Sequence, residues 1–277
     1  MNKKLLALLL ALVMALGILT ACGSTTTETA TTETAATTET AEAAAPAEEA
    51  APAIEKIVFA TNPEFPPFES ISANGILGEY DGIDIAIVKK IGEIIGCEVE
   101  MQSMEFDSLL IALQNGQIDA TIAGMTITED RQKSVDFSTP YYAATQVMIV
   151  KEDSGITCAA DMADKTIAVV QGYTGETCVA EMGYAYEAFK KGTECVMELV
   201  NGKCDVVVID SATAEKYVAD NAGLIIVEDE TAFGSEQYGI AVKKGNEELL
   251  AAINSAVEQM LADGTISSIS AQYIDAD

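Results

Sequence analysis

Arg131 is the only arginine in a chain of 277 residues that carries 44 acidic residues and no histidine. A guanidinium group is a planar fork of N–H donors that binds a carboxylate through two parallel hydrogen bonds, whereas a lysine ammonium is a single point charge. The simpler alternative is a solvated surface charge that pairs with Glu129 or Asp136, a contact worth about 0–1 kcal/mol. The residue type alone does not decide between the two, so its neighbours must.

Hydroxyl and acidic side chains around Arg131 are typical of the start of a helix. Thr126 and Thr128 offer oxygens that cap a first turn, and Glu129 and Asp130 place negative charge at the positive end of a helix dipole. We therefore expect Arg131 in the first turn of a short helix. If that helix follows a strand, the guanidinium can point into a cleft beside donors suited to an anion.

Two further segments complete a pattern of opposite charges. The run 171–175, Gln-Gly-Tyr-Thr-Gly, precedes a second predicted helix, whose first N–H groups also suit a carboxylate. Asp210 ends the apolar run Val206–Ile209, and its carboxylate suits an ammonium group. A cation at Arg131 and an anion at Asp210 together fit the two charged groups of an α-amino acid.

The elements that must position these side chains alternate between strand and helix. Strands are predicted at 57–60, around Val99 and at 118–123, with amphipathic helices through 87–95 and 108–114. This order is typical of an α/β unit with largely parallel strands.

The same alternation begins again after a predicted strand at 146–151, with strands at 166–170 and 206–209 and helices between them. The segment 237–243 is predicted as a strand that returns to the first unit, before a helix at about 247–261. We therefore expect an α/β fold of two lobes, with a two-strand hinge and a ligand cleft between the lobes.

An internal echo supports two similar lobes. Residues 115–122 (NGQIDATI) match residues 201–208 (NGKCDVVV), and each segment is typical of a helix that ends at glycine, a polar turn and a buried strand. A common helix-to-strand connection without any repeat is the alternative. In either case Gly124, Thr126 and Asp210 lie just beyond the carboxyl ends of equivalent strands, where open α/β sheets bind ligands.

The N-terminal segment has the features of an export signal. Two lysines precede a short apolar run at 5–19, without the stop-transfer pattern of a membrane-spanning helix. The following Thr-Ala-Cys22-Gly resembles the lipobox of bacterial lipoproteins, in which the cysteine is diacylated after cleavage. We expect a signal peptide at 1–21 and a lipidated Cys22, because two acyl chains give stable anchoring where one does not.

Residues 22–54 are predicted to be the lipidated cysteine and a disordered tether. Thr, Ala, Glu and Pro make up almost all of this segment, and it has no basic residue, so it buries too little apolar surface to order itself. The net charge of the whole chain, −29, argues against nucleic acid and anionic membrane surfaces as partners.

Beyond Cys22 the chain has five cysteines, with no Cys-x-x-Cys pair and no histidine to complete a zinc set, so no metal is expected. A disulfide is permitted outside the cytoplasm, but an odd count leaves at least one free thiol. We expect mostly buried, unpaired thiols at Cys97, Cys158, Cys178, Cys195 and Cys204.

Nearly all of residues 55–275 resembles, in order, the polar amino-acid family of bacterial extracellular solute-binding proteins, the receptors of ABC importers. The segments that carry the resemblance are 60–69 (ATNPEFPPFE), 82–84 (GID), Phe106, 118–120 (IDA), 124–131 (GMTITEDR), 135–138 (VDFS), 140–142 (PYY), 171–175 (QGYTG), 205–210 (DVVVID) and 262–264 (ADG). The resemblance implies a periplasmic-binding-protein-like fold, with lobe 1 at 55–145 plus 235–277 and lobe 2 at 146–234.

The resemblance also implies roles for single residues at the charged end of the ligand. Arg131 would bind the ligand α-carboxylate, together with the hydroxyl of Thr126 and an N–H at Thr174. Asp210 and the carbonyl of Gly124 would bind the α-ammonium group.

At the other end of the ligand, Phe65 and Phe106 would sandwich its side chain, and Asn62 would lie near the tip. Ordinary core packing is the alternative for the two rings. Gln171 and Tyr80 are further candidates for the pocket wall.

Three positions depart from the family's pattern. Asn62 stands where members often carry aspartate, which weakens a preference for a cationic side chain. Tyr173 replaces a smaller residue and would crowd or cap the site, and Ile83 replaces an aromatic residue in what we interpret as a packing change.

The function that the resemblance implies is a membrane-tethered extracellular receptor, which closes on an L-amino acid and delivers it to an ABC permease. A neutral polar ligand is expected, with glutamine slightly ahead. We expect a monomer without cofactor or catalytic residues. An enzyme on the same fold, such as a dehydratase, would need an added acid for which the sequence offers no strong candidate, and a surface adhesin or sensor makes less use of the charged pair.

Overall fold

A computed structural model describes residues 54–274 of the chain. The predicted signal peptide, the predicted lipidation site at Cys22 and almost all of the predicted tether lie outside the described residues. Within the described range, no helix combines the length and the apolar character needed to cross a membrane.

Strands and helices alternate through the described chain. Up to residue 137 they are β1 (Lys56–Thr61), β2 (Glu64–Phe65), β3 (Glu69–Ile71), β4 (Tyr80–Asp81), α1 (Ile83–Ile95), β5 (Glu98–Ser103), α2 (Phe106–Gln114), β6 (Ala120–Thr121), α3 (Glu129–Gln132) and β7 (Val135–Phe137). From residue 142 onward they are β8 (Tyr142–Lys151), a 3₁₀ turn (Ala159–Met162), β9 (Ile167–Val170), α4 (Thr174–Glu181), β10 (Tyr186–Phe189), α5 (Gly192–Val200), β11 (Val206–Asp210), α6 (Ser211–Asp220), β12 (Leu224–Val227), β13 (Ser235–Tyr238), β14 (Ala241–Lys243), α7 (Glu247–Ala262) and α8 (Thr265–Ile274).

Lobe 1 is built on a sheet with the strand order β5-β1-β6-β14-β7. Strand β1 pairs in parallel with β5 and β6, and β14 pairs antiparallel with β6 and β7. Helix α1 packs against this lobe because Ile87, Val88 and Ile91 recur at helical spacing and are fully buried. A small sheet of β2, β3 and β4 lies apart from the main sheet.

Lobe 2 is built on a second sheet, with the strand order β10-β9-β11-β8-β12. Strands β9, β10 and β11 are parallel, whereas β8 runs antiparallel to β11 and β12. Every residue of β9 and β11 is buried. Burial on both faces explains why these strands are continuous apolar runs rather than alternating ones.

Two chain segments connect the lobes, as predicted. Strand β8 crosses into lobe 2, and β13 pairs antiparallel with its first half before the chain returns to lobe 1 as β14. The predicted single strand at 237–243 is broken at Gly239 and Ile240, because β13 and β14 pair with strands of different sheets. The first crossing strand begins at Tyr142, four residues earlier than predicted.

The internal echo corresponds to matching structure in the two lobes. Asn115 and Asn201 are the C-caps of α2 and α5. The carboxylate of Asp119 accepts a hydrogen bond from the N–H of Val58, and Asp205 accepts one from Thr166, at 2.8 and 2.9 Å. In each lobe the aspartate thus ties the strand that follows it to the neighbouring parallel strand.

The predicted element boundaries differ by a few residues. Helix α2 begins at Phe106 rather than Ser108. Strand β6 covers only two residues, but the N–H groups of Asp119 and Ile122 extend its ladder to β1, by bonds to the carbonyls of Val58 and Ala60. The predicted strand at 118–123 is therefore correct in position and shorter in length.

Candidate ligand-binding cleft

The chain just beyond β6 in lobe 1 meets the ends of β9 and β11 in lobe 2. Arg131 Nη2 donates a 2.9 Å hydrogen bond to the carbonyl of Gly172 across this junction, and Tyr238 Oη donates a 2.6 Å bond to Asp210 Oδ1. A cavity of about 520 Å³ opens here and is lined by Thr126, Ile127, Thr128, Thr174, Ser235, Glu236 and Gln237. We refer to this junction as the cleft.

Arg131 lies in the first turn of α3, as its sequence context predicts. The hydroxyl of Thr128 caps this turn by accepting the N–H of Arg131 at 3.2 Å. The guanidinium donates from Nη1 to the carbonyl of Thr126 at 2.7 Å, and it lies 5.3 Å from the centre of the Phe106 ring. Burial lowers the pKa of Arg131, and the charges of nearby acidic groups oppose that shift.

The surface pairing of Arg131 with Asp136 is not made. Asp136 pairs with Lys244 at 2.7 Å. The two carbonyl partners of Arg131, by contrast, come from both lobes. Arg131 is thus a cleft residue rather than a solvated surface charge.

Glu236 places a carboxylate in the cleft that the sequence analysis missed. Its Oε2 accepts hydrogen bonds from the hydroxyls of Thr126 and Thr174, at 2.7 and 2.8 Å. The amide of Gln146, also missed, donates to the same oxygen at 3.3 Å and to the Thr174 hydroxyl at 3.1 Å. The hydroxyl hydrogens of Thr126 and Thr174 are therefore both already donated to Glu236.

The alternation of side chains in β13 could have identified Glu236 as a cleft residue. Side chains alternate between the two faces of a strand, so Glu236 and Tyr238 point to the same side. Tyr238 is fully buried and contacts Asp210. An acidic residue two positions before a buried tyrosine in a crossing strand is therefore a cleft candidate.

Asp210 ends β11 and is only 3% exposed. Burial and, to a smaller extent, the negative charge of Glu236 raise the pKa of Asp210 to about 7. The hydrogen bond from the Tyr238 hydroxyl acts in the opposite direction. A cationic group placed beside Asp210 would favour its charged form.

Gly124 follows β6 in a left-handed conformation, with φ of 51°. A Cβ atom at this position would lie 2.4 Å from the ring of Phe65, so only glycine permits this close approach. The N–H of Gly124 donates to Asp84 at 2.8 Å, and the same carboxylate oxygen accepts the Tyr141 hydroxyl at 2.9 Å. Asp84 thereby holds the turn that carries the Gly124 carbonyl.

Phe65 and Phe106 lie in lobe 1, buried beside the cleft, but both contact a third ring. Tyr173 reaches over from lobe 2, with its ring centre 5.3 Å from that of Phe65 and 4.5 Å from that of Phe106. Tyr173 is 6% exposed. The crowding expected from Tyr173 is therefore present.

Asn62 is buried next to this aromatic cluster, and both ends of its amide are engaged. Its Oδ1 accepts a 3.3 Å hydrogen bond from the Tyr173 hydroxyl, and its Nδ2 donates to the carbonyl of Met104 at 3.0 Å. Thr174, the first residue of α4, is also buried at the cleft. The N–H groups of such a first turn lack partners within the helix.

Gln171 is the predicted site residue that does not join this cluster. Its side chain is exposed, and its N–H donates to the carbonyl of Phe189 at 2.8 Å. Tyr80 lies in the small sheet, in β4.

The cysteines and the acidic groups do not build a metal site in the described residues, where no cluster suited to a metal ion is found. All five described cysteines are free thiols, and two of them, Cys195 and Cys204, are buried. Burial raises the pKa of Cys195 to about 12 and that of Cys204 to about 11, which makes both weak nucleophiles.

Fold and cleft together define a class of protein. Two α/β lobes, joined by two crossing segments, enclose a cleft with the half-buried guanidinium of Arg131 on one side and the buried carboxylate of Asp210 on the other. This is the architecture of a two-lobe solute-binding protein.

Comparison with known proteins specifies the family. The profile of the bacterial extracellular solute-binding proteins, family 3, matches residues 57–276. The chain belongs to this family.

Relatives with different ligands are about equally similar to the chain. "ABC transporter arginine-binding protein 1" of Escherichia coli (strain K12) is 35% identical, over 79% of this chain and 90% of that protein. "ABC transporter glutamine-binding protein GlnH" of Bacillus subtilis (strain 168) is also 35% identical, over 80% of this chain and 82% of that protein. The solved structure of the arginine-, lysine-, histidine-binding protein ArtJ from Geobacillus stearothermophilus is 33% identical and has a TM-score of 0.75, covering 80% of this chain and 96% of that chain.

Proposed function

We propose that this chain is an extracellular receptor that binds an L-amino acid between its lobes by hinge closure and delivers it to an ABC permease. The observation that carries the proposal is the pair of opposite charges in the cleft, the half-buried Arg131 from lobe 1 and the buried Asp210 at the end of β11 in lobe 2. Because the two charges lie on different lobes, a zwitterion satisfies both only when the lobes are closed. Membership of family 3 supports the same function.

The charged end of the amino acid would lie between these groups. Arg131, the Thr126 hydroxyl and the N–H of Thr174 would bind the α-carboxylate. Asp210 and the Gly124 carbonyl would bind the α-ammonium group. For this to happen Thr126 must exchange its bond to Glu236 for a bond to the ligand.

The side-chain end of the ligand would lie towards Phe65, Phe106 and Asn62. We infer a neutral polar side chain, with glutamine slightly ahead, because the amide of Asn62 has no charge to balance a buried cation. The chain is 35% identical both to an arginine-binding relative and to a glutamine-binding relative, so overall identity does not indicate which amino acid is bound. The inference about the ligand therefore rests on the residues of the cleft.

The receptor would be a monomer tethered to the outside of the cell membrane. Its proposed parts are a signal peptide at 1–21, the lipidated Cys22 with a tether to residue 54, lobe 1 at 55–145 plus 235–277, and lobe 2 at 146–234. Cys22→Ser should move the protein from the detergent phase to the aqueous phase when cells are extracted with a phase-separating detergent. Equal partition of both proteins would contradict lipid anchoring.

Calorimetric titration of the full chain with each common amino acid tests the function, after removal of any ligand that copurifies. At least one amino acid should bind, and Arg131→Lys should weaken its binding by about tenfold or more, because lysine cannot reproduce the fork of donors. Failure of every amino acid to bind, with no copurified ligand, would overturn the proposal. Unchanged binding by Arg131→Lys would show that another group holds the carboxylate.

Recovery of the amino acid after prolonged incubation separates a receptor from a dehydratase-like enzyme. A receptor returns the ligand intact, whereas an enzyme returns a product. Mass spectrometry of the released ligand decides between them.

A further inference from the structure

Tyr173 occupies the part of the cleft in which the ligand side chain would be held. It is the last residue before α4, and its ring crosses from lobe 2 to contact Phe65 and Phe106 in lobe 1. Both contacts are edge-to-face, with interplanar angles of 88° and 63°, an arrangement that aromatic pairs favour. The two rings that would sandwich a ligand are thus already packed against a ring of the protein.

The polar tip of Tyr173 also takes the place of a ligand group. Its hydroxyl donates to Asn62 Oδ1, while the other end of that amide is bonded to the carbonyl of Met104. Asn62 is 3% exposed, so water does not replace a lost partner freely. A ligand amide could bond to Asn62 Oδ1 only after the Tyr173 hydroxyl has left it.

The residues on either side of Tyr173 are held by contacts of their own. Gly172 has φ of 82° and accepts the hydrogen bond from Arg131, and Thr174 begins α4. Tyr173 itself has an extended backbone, with φ of −76° and ψ of 160°, outside the helix. Rotation about its side-chain bonds would therefore remove the ring without disturbing the helix or the contact to Arg131.

Accordingly, we propose that Tyr173 is a specificity-determining residue whose ring competes with the ligand side chain for the space beside Phe65 and Phe106. This inference rests on the proposed function, since it assigns a role within the same cleft. An amino acid with a short side chain, such as alanine, binds with the ring in place. One with a long side chain, such as glutamine or arginine, binds only when the ring leaves.

Titration of three proteins with alanine, glutamine and arginine tests this role. The proteins are the wild-type chain, Tyr173→Thr and Tyr173→Phe. Tyr173→Thr should bind glutamine and arginine at least about tenfold more tightly than the wild type, and alanine within about twofold, because only the long side chains compete with the ring. Tyr173→Phe should show a smaller gain for glutamine, about two- to fivefold, because it frees Asn62 but keeps the ring.

Two results with Tyr173→Thr would contradict the proposed role of Tyr173. Weaker binding of glutamine and arginine by Tyr173→Thr would show that Tyr173 is a wall of the ligand site. An equal change for all three amino acids would show a general effect on closure. Either result would overturn the proposal. If Tyr173→Thr does not fold, as judged by thermal unfolding, an unchanged ratio of glutamine to alanine affinity in Tyr173→Phe overturns it instead. Absence of binding by all three proteins to every common amino acid would contradict the proposed function, whereas binding by the wild type without a dependence on side-chain length contradicts only the role of Tyr173.

Discussion

At the scale of single residues, Glu236 adds a second carboxylate to the cleft. It lies near Asp210 and raises its pKa, and it occupies the hydroxyls of Thr126 and Thr174. The proposed α-carboxylate of the ligand needs one of those hydroxyls. Two carboxylates cannot share a single hydroxyl hydrogen, and their like charges repel.

Glu236→Gln should therefore tighten the binding of a neutral amino acid, by about fivefold or roughly 1 kcal/mol, because a neutral amide does not repel the α-carboxylate. Calorimetric titration at about pH 7 measures the change. The exposed Glu55→Gln is the matched control, since it removes one charge outside the cleft. Weaker binding by Glu236→Gln would indicate that Glu236 holds a cationic group of the ligand.

At the scale of secondary-structure elements, the turn between β10 and α5 connects the lobes at the rim of the cleft. Lys190 pairs with Asp107 in α2 at 2.5 Å, and Lys191 pairs with Glu64 in β2 at 2.7 Å. Nearby, the Tyr217 hydroxyl of α6 donates to the carbonyl of Glu64 at 3.2 Å. Both lysines are substantially exposed, so each pair contributes only about 0–1 kcal/mol to closure.

Lys190→Gln combined with Lys191→Gln should weaken ligand binding by about two- to fivefold, because these pairs join the two lobes and opening the cleft would separate them. Ligand affinity at low and high salt measures the effect, and the difference between mutant and wild type should shrink as salt screens the pairs. Lys90→Gln with Lys203→Gln is the control, since Lys90 pairs with Glu93 within lobe 1 and Lys203 pairs with Glu198 within lobe 2. If the control weakens binding equally, net charge rather than lobe contact is responsible.

At the scale of the whole molecule, buried carboxyl groups link stability to pH. Burial raises the pKa of Asp84 and of Asp210 to about 7, and that of Glu69 well above its usual value. The carboxyl of Glu69 is fully buried, and the charge of Asp84 adds to the effect of burial in raising its pKa. The folded chain therefore binds protons that the unfolded chain releases near pH 4.

Because the folded-state pKa values of these acids are raised, their contribution to the free energy of unfolding is greatest below about pH 4 and declines as pH rises to about 7. The ligand-free chain should be more stable at about pH 5 than at about pH 7.5, with Asp84 and Asp210 each contributing on the order of 1–3 kcal/mol to the difference. Denaturant unfolding at the two pH values measures this.

Glu69→Gln should reduce the loss of stability between the two pH values, because an amide at this buried position has no proton to titrate. Glu55→Gln, which is exposed, should leave the loss unchanged. The same pH dependence in Glu69→Gln as in the wild type would show that Glu69 does not carry the proton.

Much of this structure was predictable because local patterns specify it. Apolar runs predicted the buried strands β9 and β11, and the helical spacing of isoleucines predicted α1. The hydroxyl and acidic residues before Arg131 predicted the start of α3, and the repeated Asn-Gly segment predicted equivalent turns in both lobes. Each of these signals depends on neighbours close in the chain.

Other features depended on residues far apart in the chain. The break between β13 and β14 follows from a change of partner strands, which no local pattern records. Glu236 lies 110 residues from the Thr126 hydroxyl it binds, and the Tyr173 hydroxyl lies 111 residues from Asn62. The sequence by itself therefore determined the class of fold and the charged pair Arg131 and Asp210. Only the packing of one lobe against the other decided what fills the space between them, because those contacts form between side chains that the sequence places far apart.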